Sequence, residues 1–126
     1  MRVAMALALL LSAGTAPALA GDAKPRILAA EAHPGSEQSV TLKVSARDRD
    51  GIVRGIDIDW GDGAAQGMSR CEIPMRRDAG RTERFRLGYA YAAPGDYQIT
   101  VKVNSGGCGK RRQQHSAPRT VAVRIG

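Results

Sequence analysis

The chain has 126 residues, a formal net charge of +7 and two cysteines. This length allows one domain with one modest hydrophobic core, which excludes a large multidomain architecture. The excess of Lys and Arg favours anionic surroundings such as cell-wall polymers, lipid head groups, acidic proteins or nucleic acid, although a need for solubility explains it equally well.

The N-terminal segment has the composition of a secretory signal peptide. Arg2 precedes an apolar run from Val3 to Ala13, and small residues ending at Ala20 predict cleavage after that position. The run is short for a membrane anchor, so we expect no membrane span once the signal is removed. Residues 1–20 are therefore predicted to be a signal peptide, and residues 21–126 a mature domain that is secreted or periplasmic. Loss of Arg2 lowers the charge from +7 to +6.

After the signal, stretches of alternating apolar and polar residues predict β-strands, and turns rich in Pro, Gly and Asp separate them. No stretch has a convincing helical period. Gly61 to Gly67 and the mostly polar segment from Asn104 to Pro118 predict loops. Seven strands of this kind predict an all-β fold, a single antiparallel sandwich of two sheets. The predicted strands are 26–33, 39–47, 52–60, 68–75, 81–91, 97–103 and 119–125.

The most informative stretch is Ile56 to Gly63, which predicts a core strand that ends in a tight turn. Trp60 is the only tryptophan and continues the apolar face of the strand. Gly61-Asp62-Gly63 is a turn motif, because glycine reaches backbone conformations closed to other residues and a carboxylate accepts hydrogen bonds from turn amides. Tyr97 begins a late strand, where it either hydrogen-bonds back across the corner between the sheets or is a plain core aromatic.

Four sequence blocks stand out in order along the mature chain. They are Val40–Val44, Asp48–Ile52, Asp59–Gly63 and Tyr91–Val101. Together these blocks resemble the PKD domain family and cover most of the mature chain. The resemblance implies an immunoglobulin-like β-sandwich that is mostly non-enzymatic and contacts proteins or carbohydrates outside the cell. The two cysteines and the long polar loop are not part of the family's pattern.

The two cysteines, Cys71 and Cys108, both fall in the predicted mature domain. Export would place them where oxidation occurs, so we expect a disulfide that stabilises the fold by about 2–4 kcal/mol. Two free thiols or a zinc pair are the alternatives. Zinc is disfavoured because only His33 and His115 are further typical ligands, and their spacing matches no zinc motif.

Three aspartates in predicted turns, Asp48, Asp50 and Asp62, are candidate ligands for calcium, which prefers carboxylate oxygens. The competing interpretation is that Asp48 and Asp62 accept hydrogen bonds from their own turns. We favour this second interpretation, because the sequence lacks the later glutamate of an EF-hand loop. We expect no other cofactor.

A cluster of cations is the candidate site for an anionic ligand. The predicted hairpin holds Arg70, Arg76, Arg77, Arg81, Arg84 and Arg86, and the long loop holds Lys110, Arg111 and Arg112. From these, the candidate anion-binding residues are Arg70, Arg76, Arg77, Lys110, Arg111 and Arg112. A Cys71–Cys108 bridge would bring the loop beside the hairpin, so that the cluster could bind phosphate or uronate polymers. A solvated surface, partly offset by nearby acidic residues, fits the sequence equally well. Nucleic acid is disfavoured as a partner, because the aromatic side chains needed for base stacking fall mostly at inward positions.

The sequence predicts no catalytic residue, since neither His33 nor His115 accompanies a nucleophile motif. We therefore expect a secreted, non-enzymatic binding module that contacts extracellular polysaccharide, a cell-wall polymer or another anionic polymer. The alternative is an accessory subunit that binds a protein partner through its edge strands.

Overall fold

The computed structural model describes residues 23–70, 79–106 and 113–126, and the regular structure in these ranges is entirely β-strand. The strands are β1 (Arg26–Pro34), β2 (Ser39–Arg47), β3 (Val53–Asp59), β4 (Ala65–Ser69), β5 (Thr82–Ala90), β6 (Gly95–Gly106), β7 (Gln113–His115) and β8 (Arg119–Ile125). Within the described ranges no helix is long and apolar enough to cross a membrane. The predicted signal peptide lies outside them.

Two antiparallel sheets form the domain. The first has the strand order β1-β2-β5, and the second has the order β4-β3-β6, with both β7 and β8 paired to the far edge of β6. Strand β6 has 12 residues and is long enough to hold two partners along one edge. Its residues Gly95–Val101 pair with β8, and Asn104–Gly106 pair with β7. This architecture confirms the predicted all-β sandwich.

The hydrophobic core lies between the two sheets, because each strand turns every second side chain inward. On β2 the alternate residues from Val40 to Ala46 are buried, and on β6 the side chains of Ile99, Val101 and Val103 are fully buried. Burial of each Val, Ile, Leu or Phe side chain contributes about 1.5–3 kcal/mol, so this layer is the main source of stability. The buried apolar residues are Val40, Leu42, Val44, Ala46, Val53, Ile56, Ile58, Trp60, Phe85, Leu87, Tyr91, Ile99, Val101, Val103, Val123 and Ile125.

Two parts of the predicted strand pattern are wrong. Strand β4 begins at Ala65, inside the stretch 61–67 that the sequence predicted as a loop. Its small, mostly exposed side chains carry no apolar alternation, and it is defined by its backbone pairing with β3. The stretch 104–118, also predicted as a loop, continues β6 to Gly106 and contains β7. The predicted strand 68–75 lies outside the described residues from position 71 onward.

Buried polar groups explain why the stretch 104–118 contains strand residues where the sequence predicted a loop. Asn104, Ser105 and Ser116 are at most 7% exposed although their side chains are polar. The Val103 amide donates to the Ser116 hydroxyl oxygen at 3.0 Å, and the Ser116 amide donates to the Val103 carbonyl oxygen at 2.8 Å. Hydrogen bonds therefore hold this part of the second sheet together, and a hydropathy pattern does not reveal them.

An aromatic cluster connects the β3–β4 turn to both sheets. The Trp60 ring is buried and stacks on Tyr89 of β5 with ring centres 4.7 Å apart. The Tyr91 hydroxyl donates to the Trp60 carbonyl oxygen at 2.8 Å, and the Tyr91 ring stacks on Tyr97 at 3.9 Å. The Tyr97 hydroxyl donates to the Ala93 carbonyl oxygen at 2.7 Å. Tyr97 thus makes the back-bond at the β5–β6 corner, the first of the two roles considered from the sequence.

The turn that follows Trp60 needs glycine. Gly61 has a φ of +86°, and a Cβ at this position would collide with the Gln98 carbonyl oxygen. Gly63 has a φ of +93°. The Asp62 carboxylate accepts a hydrogen bond from the Ala64 amide at 3.0 Å, as expected for an aspartate that stabilises its own turn.

We expect the Tyr91→Phe variant to lose about 1–3 kcal/mol of unfolding free energy, because a buried carbonyl oxygen would lose its donor. Tyr97→Phe is the matched control. Its hydrogen bond is exposed, so water replaces the lost donor and the expected loss is below about 1 kcal/mol. Urea unfolding of both variants and the wild type measures these losses. Equal losses in the two variants would contradict the prediction.

Candidate functional site

Five cations share the outer face of the first sheet. Period-two alternation turns the inner residues of β2 and β5 to the core and leaves their basic residues exposed on the other side. The β1–β2 pairing places Arg26 opposite Arg47, which adds one further cation from β1. We call this surface the cationic face, and it consists of Arg26, Lys43, Arg47, Arg84 and Arg86.

The strand register places like charges next to each other on the cationic face. Lys43 lies directly opposite Arg86, and Arg26 lies directly opposite Arg47. Adjacent strands are about 4.8 Å apart, and like charges in directly opposed positions destabilise a sheet. Among the described residues, no member of the cationic face forms an ion pair within 4.0 Å. The face therefore holds cations in repelling positions, and none of them has a close ion pair with a carboxylate of the described residues.

An open groove of about 370 Å³ runs over the middle of the cationic face. Its lining includes the cations Lys43, Arg84 and Arg86 and the short side chains of Ala29 and Ser45. In the strand register Ala29, Ser45 and Arg84 form one row across the sheet. The short residues leave room between the long cationic side chains, so the groove can accept a negatively charged group.

One carboxylate, Glu31, also lines this groove. Glu31 lies opposite Lys43, which in turn lies opposite Arg86, so the three form a row across the sheet. The Glu31 Oε2 atom is 3.1 Å from the His33 Nε2 atom. This row therefore presents two cations beside one anion in neighbouring positions.

The outer face of the second sheet has a different charge pattern. Asp57 on β3 lies opposite Lys102 on β6, so the two neighbours carry opposite charges. The Arg124 Nε atom is 3.1 Å from the Asp96 Oδ1 atom. Lys102 and Arg124 thus have carboxylates as cross-strand neighbours, whereas among the described cations of the first sheet only Lys43 has one, which is Glu31.

The structure describes one of the six cations that the sequence predicted as an anion site. The Arg70 guanidinium lies 3.6 Å from a Glu83 carboxylate oxygen and 4.8 Å from the centre of the Phe85 ring. It covers an edge of the sandwich and is not part of the cationic face. The other five predicted cations, Arg76, Arg77, Lys110, Arg111 and Arg112, lie outside the described residues, as do Cys71 and Cys108. Their anion binding and the disulfide therefore stay predictions.

Sequence reasoning missed three members of the cationic face: Arg26, Lys43 and Arg47. Their signal was present, since β2 places Lys43 and Arg47 at outward positions. What the sequence could not supply was the register that sets Lys43 beside Arg86, because these residues are far apart in the chain. Runs of charge along the chain therefore indicated the hairpin and the long loop, and not the outer face of the first sheet.

The predicted calcium ligands do not form one set. Asp48 and Asp50 lie in the β2–β3 turn and Asp62 lies in the β3–β4 turn, so the seven residues of β3 separate them. At about 3.3 Å per residue, that strand spans roughly 20 Å. Within residues 23–70, 79–106 and 113–126, no group of three or more His, Cys, Asp or Glu side chains is placed to hold a metal ion. Calcium binding by Asp48 and Asp50, the interpretation that the sequence does not favour, stays an untested alternative.

The two aspartate sites also differ in electrostatics. The Tyr89 hydroxyl donates to the Asp62 carboxylate, and this hydrogen bond lowers the pKa of Asp62. Asp48 is only 3% exposed, and burial raises its pKa despite a hydrogen bond with Ser105 that favours the charged form. The Asp50 amide donates to the Asp48 Oδ1 atom at 3.3 Å. Both Asp48 and Asp62 therefore accept hydrogen bonds from their own turns.

The fold resembles that of a domain whose structure has been solved. A crystal structure of the PKD1 domain of Epp from Vibrio anguillarum matches this chain with a TM-score of 0.51 and 17% sequence identity, over 82% of this chain and 96% of that domain. At this identity the likeness shows the fold, so the chain is a PKD-like β-sandwich, as the sequence resemblance predicted. No protein-family model and no curated protein sequence matches the chain.

We expect the stability contribution of Asp48 to depend on pH. Its pKa is raised above the ordinary value of 3.8 in the folded state, so the contribution is fully present below about pH 4 and is lost as the pH rises through the folded pKa. The wild type should therefore lose stability relative to Asp48→Asn as the pH rises from about 4 to 7. Chemical unfolding across this range measures the difference.

Ser105→Ala is the companion variant for this measurement. It removes a hydrogen bond that favours the ionised Asp48 carboxylate, so the pH dependence should become steeper. A stability difference between wild type and Asp48→Asn that does not change with pH would show the prediction to be wrong.

We expect Arg86→Glu to stabilise the domain by about 0.2–1 kcal/mol, because it replaces a like-charged pair with Lys43 by an oppositely charged pair. The gain should appear in thermal unfolding at low ionic strength and fade at about 1 M salt, where charges are screened within about 3 Å. Arg124→Glu is the control, since it opposes Asp96 and should destabilise. A loss of stability in Arg86→Glu would contradict the prediction.

Proposed function

We propose that this PKD-like domain is a non-enzymatic binding module that binds an anionic polysaccharide of the cell wall or extracellular matrix through its cationic face. The observation that carries the proposal is the register of β2 with β1 and β5, which sets like-charged residues side by side without neutralising them. A polyanion laid across the face would relieve that repulsion, so binding would recover stability that the free domain lacks.

The short distances between the cations indicate that they act together on one ligand. The screening length is about 10 Å at 0.1 M salt, whereas neighbouring cations on the face are separated by one strand spacing of about 4.8 Å or by two residues along a strand, about 7 Å. Each cation therefore contributes to one common positive potential. Such a potential attracts an anionic polymer and concentrates it at the surface.

The shape of the face favours a polymer over a small anion. The charges spread over three strands, about 10 Å across, and from Lys43 to Arg47 they extend about 13 Å along β2. One small anion would contact only part of this area, whereas an extended chain would contact all of it. The groove is also open to solvent along its length.

The same face disfavours nucleic acid as the ligand. Single-stranded binding depends on exposed aromatic rings on which bases stack. Phe85 of β5 points into the core, and the Tyr89 ring is stacked on Trp60. The cationic face thus offers charge and hydrogen-bond donors, a combination suited to carboxylate-bearing or sulfated sugars.

Two sequence features support an extracytoplasmic setting for this function. Residues 1–20 have the pattern of a signal peptide, and the expected Cys71–Cys108 disulfide requires an oxidising compartment. We therefore propose that the domain is secreted or periplasmic, where cell-wall and extracellular polymers are its neighbours.

A second candidate function, contact with a protein partner, is favoured by β4. Within the part of the chain that the structure describes, β4 is the last strand at this edge of the second sheet, and its sequence, Ala65-Gln66-Gly67-Met68-Ser69, has no charged residue and no proline. Edge strands without such protection pair readily with a strand of another chain. Binding of that kind rests on backbone hydrogen bonds, so it would depend little on salt.

We expect the purified protein to sediment with insoluble polygalacturonate at low salt and to be released at about 0.5 M salt, because screening weakens each charge contact. It should not sediment with neutral cellulose. The double variant Arg84→Glu/Arg86→Glu should bind at least about tenfold more weakly, since two reversed charges remove contacts of roughly 0.2–1 kcal/mol each and add repulsion.

The matched control is Lys102→Glu/Arg124→Glu, which changes the net charge equally but on the second sheet. Its affinity should stay within about threefold of the wild type. Equal losses in both double variants would assign the binding to net charge and not to the cationic face. Binding that survives high salt would favour a sugar-reading surface, and no binding to either polymer would favour the protein partner at β4.

A further inference from the structure

We infer that the cationic face selects polymers that combine carboxylates with free hydroxyl groups, such as polyuronates, over polymers of phosphate, and that Glu31 is the selecting residue. The inference rests on the proposed function, since it concerns the same groove. It names the chemical class of the ligand and assigns a role to the one anion within the groove.

The row Glu31–Lys43–Arg86 is the structural basis. The three residues lie on three neighbouring strands and all line the groove. Glu31 is on the edge strand, its side chain is 64% exposed, and one carboxylate oxygen is held by His33 at 3.1 Å. Its second carboxylate oxygen, Oε1, has no hydrogen-bond partner among the described residues, so it is available to a ligand.

The chemistry of this row differs from that of a simple anion site. Lys43 and Arg86 offer only hydrogen-bond donors, whereas an ionised Glu31 offers only acceptors. A phosphate polymer presents charged acceptor oxygens along its whole length. Glu31 would repel these oxygens, because inside the groove they would lie closer to its carboxylate than the screening length of about 10 Å at 0.1 M salt. A polyuronate presents a carboxylate and hydroxyl donors on each ring. Its carboxylate can accept from Lys43 and Arg86 while a hydroxyl donates to Glu31.

The neighbouring row provides space for the sugar ring. Ala29 lies opposite Ser45, and both side chains are short. A ring placed over these residues would have Arg84 on one side and the Glu31–Lys43–Arg86 row on the other. The strand spacing of about 4.8 Å is similar to the separation of substituents across one sugar ring, so a donor and an acceptor on adjacent strands can contact the same ring.

The test measures affinity for two soluble probes, an oligogalacturonate and a linear polyphosphate with the same number of charges, at equal ionic strength. The measurement is made at about pH 8, where most imidazoles are neutral. We expect the wild type to prefer the oligogalacturonate. In Glu31→Gln, affinity for polyphosphate should rise about threefold or more while affinity for oligogalacturonate falls, so the ratio of the two affinities should drop at least about fivefold.

Asp57→Asn is the matched control, because it removes one negative charge from the outer face of the other sheet. It should leave the ratio of the two affinities unchanged. If Glu31→Gln raises both affinities by the same factor, Glu31 acts only by repulsion and the inference is overturned. A wild type that prefers polyphosphate also overturns it. In both cases the proposed function stands, provided that Arg84→Glu/Arg86→Glu still weakens binding at least about tenfold. If the wild type binds neither probe, the proposed function itself fails.

Discussion

The hydrogen bond from the Tyr91 hydroxyl to the Trp60 carbonyl oxygen connects the two sheets at the point where the chain leaves β3. It is buried, and burial raises the pKa of Tyr91 to about 12, so the hydroxyl remains a donor throughout the physiological range. The stack of Trp60 on Tyr89 and the stack of Tyr91 on Tyr97 surround it. Because Tyr89 and Tyr91 belong to β5 and its end, this cluster fixes where β5 lies relative to β3. The position of β5 then determines which side chains of β2 and β5 become neighbours on the outer face of the first sheet.

The outer faces of the two sheets share the same alternation of buried and exposed residues but differ in their charge patterns. Both sheets bury every second residue and expose the others, yet Asp57 has Lys102 as its neighbour while Lys43 has Arg86. The oppositely charged pairs on the second sheet contribute to stability. On the first sheet the Lys43–Arg86 and Arg26–Arg47 pairs oppose it, and the Glu31–Lys43 pair favours it. Since the fold does not require Lys43 and Arg86 to be cations, the repulsion between them is better explained by a demand from a ligand than by a demand from folding.

Much of the fold was predictable from the sequence, because β2, β5, β6 and β8 alternate clearly and the turn after Trp60 carries its glycines in the positions that need them. The bounds of β2 and β8 agree with the prediction to the residue. Strand β4 was missed because its residues are mostly exposed and show no apolar alternation. Strand β7 was missed because hydrogen bonds around Ser116 attach this part of the chain to β6. The candidate site was less predictable. Local runs of arginine indicated a basic surface but not its place, because the contact between Lys43 and Arg86 depends on how two distant strands align, and no local pattern encodes that alignment.

The distribution of charge among the described residues also gives the β-sandwich a direction. Near a negatively charged surface, the cationic face of the first sheet would be attracted. The outer face of the second sheet carries Asp57 and Asp96 beside Lys102 and Arg124, so these residues would experience a weaker net force. The described strands would therefore approach such a surface with β1, β2 and β5 first. A domain that arrived with the other sheet first would have to turn before its cationic face reached the polymer, so binding would select an orientation of the domain as well as a ligand.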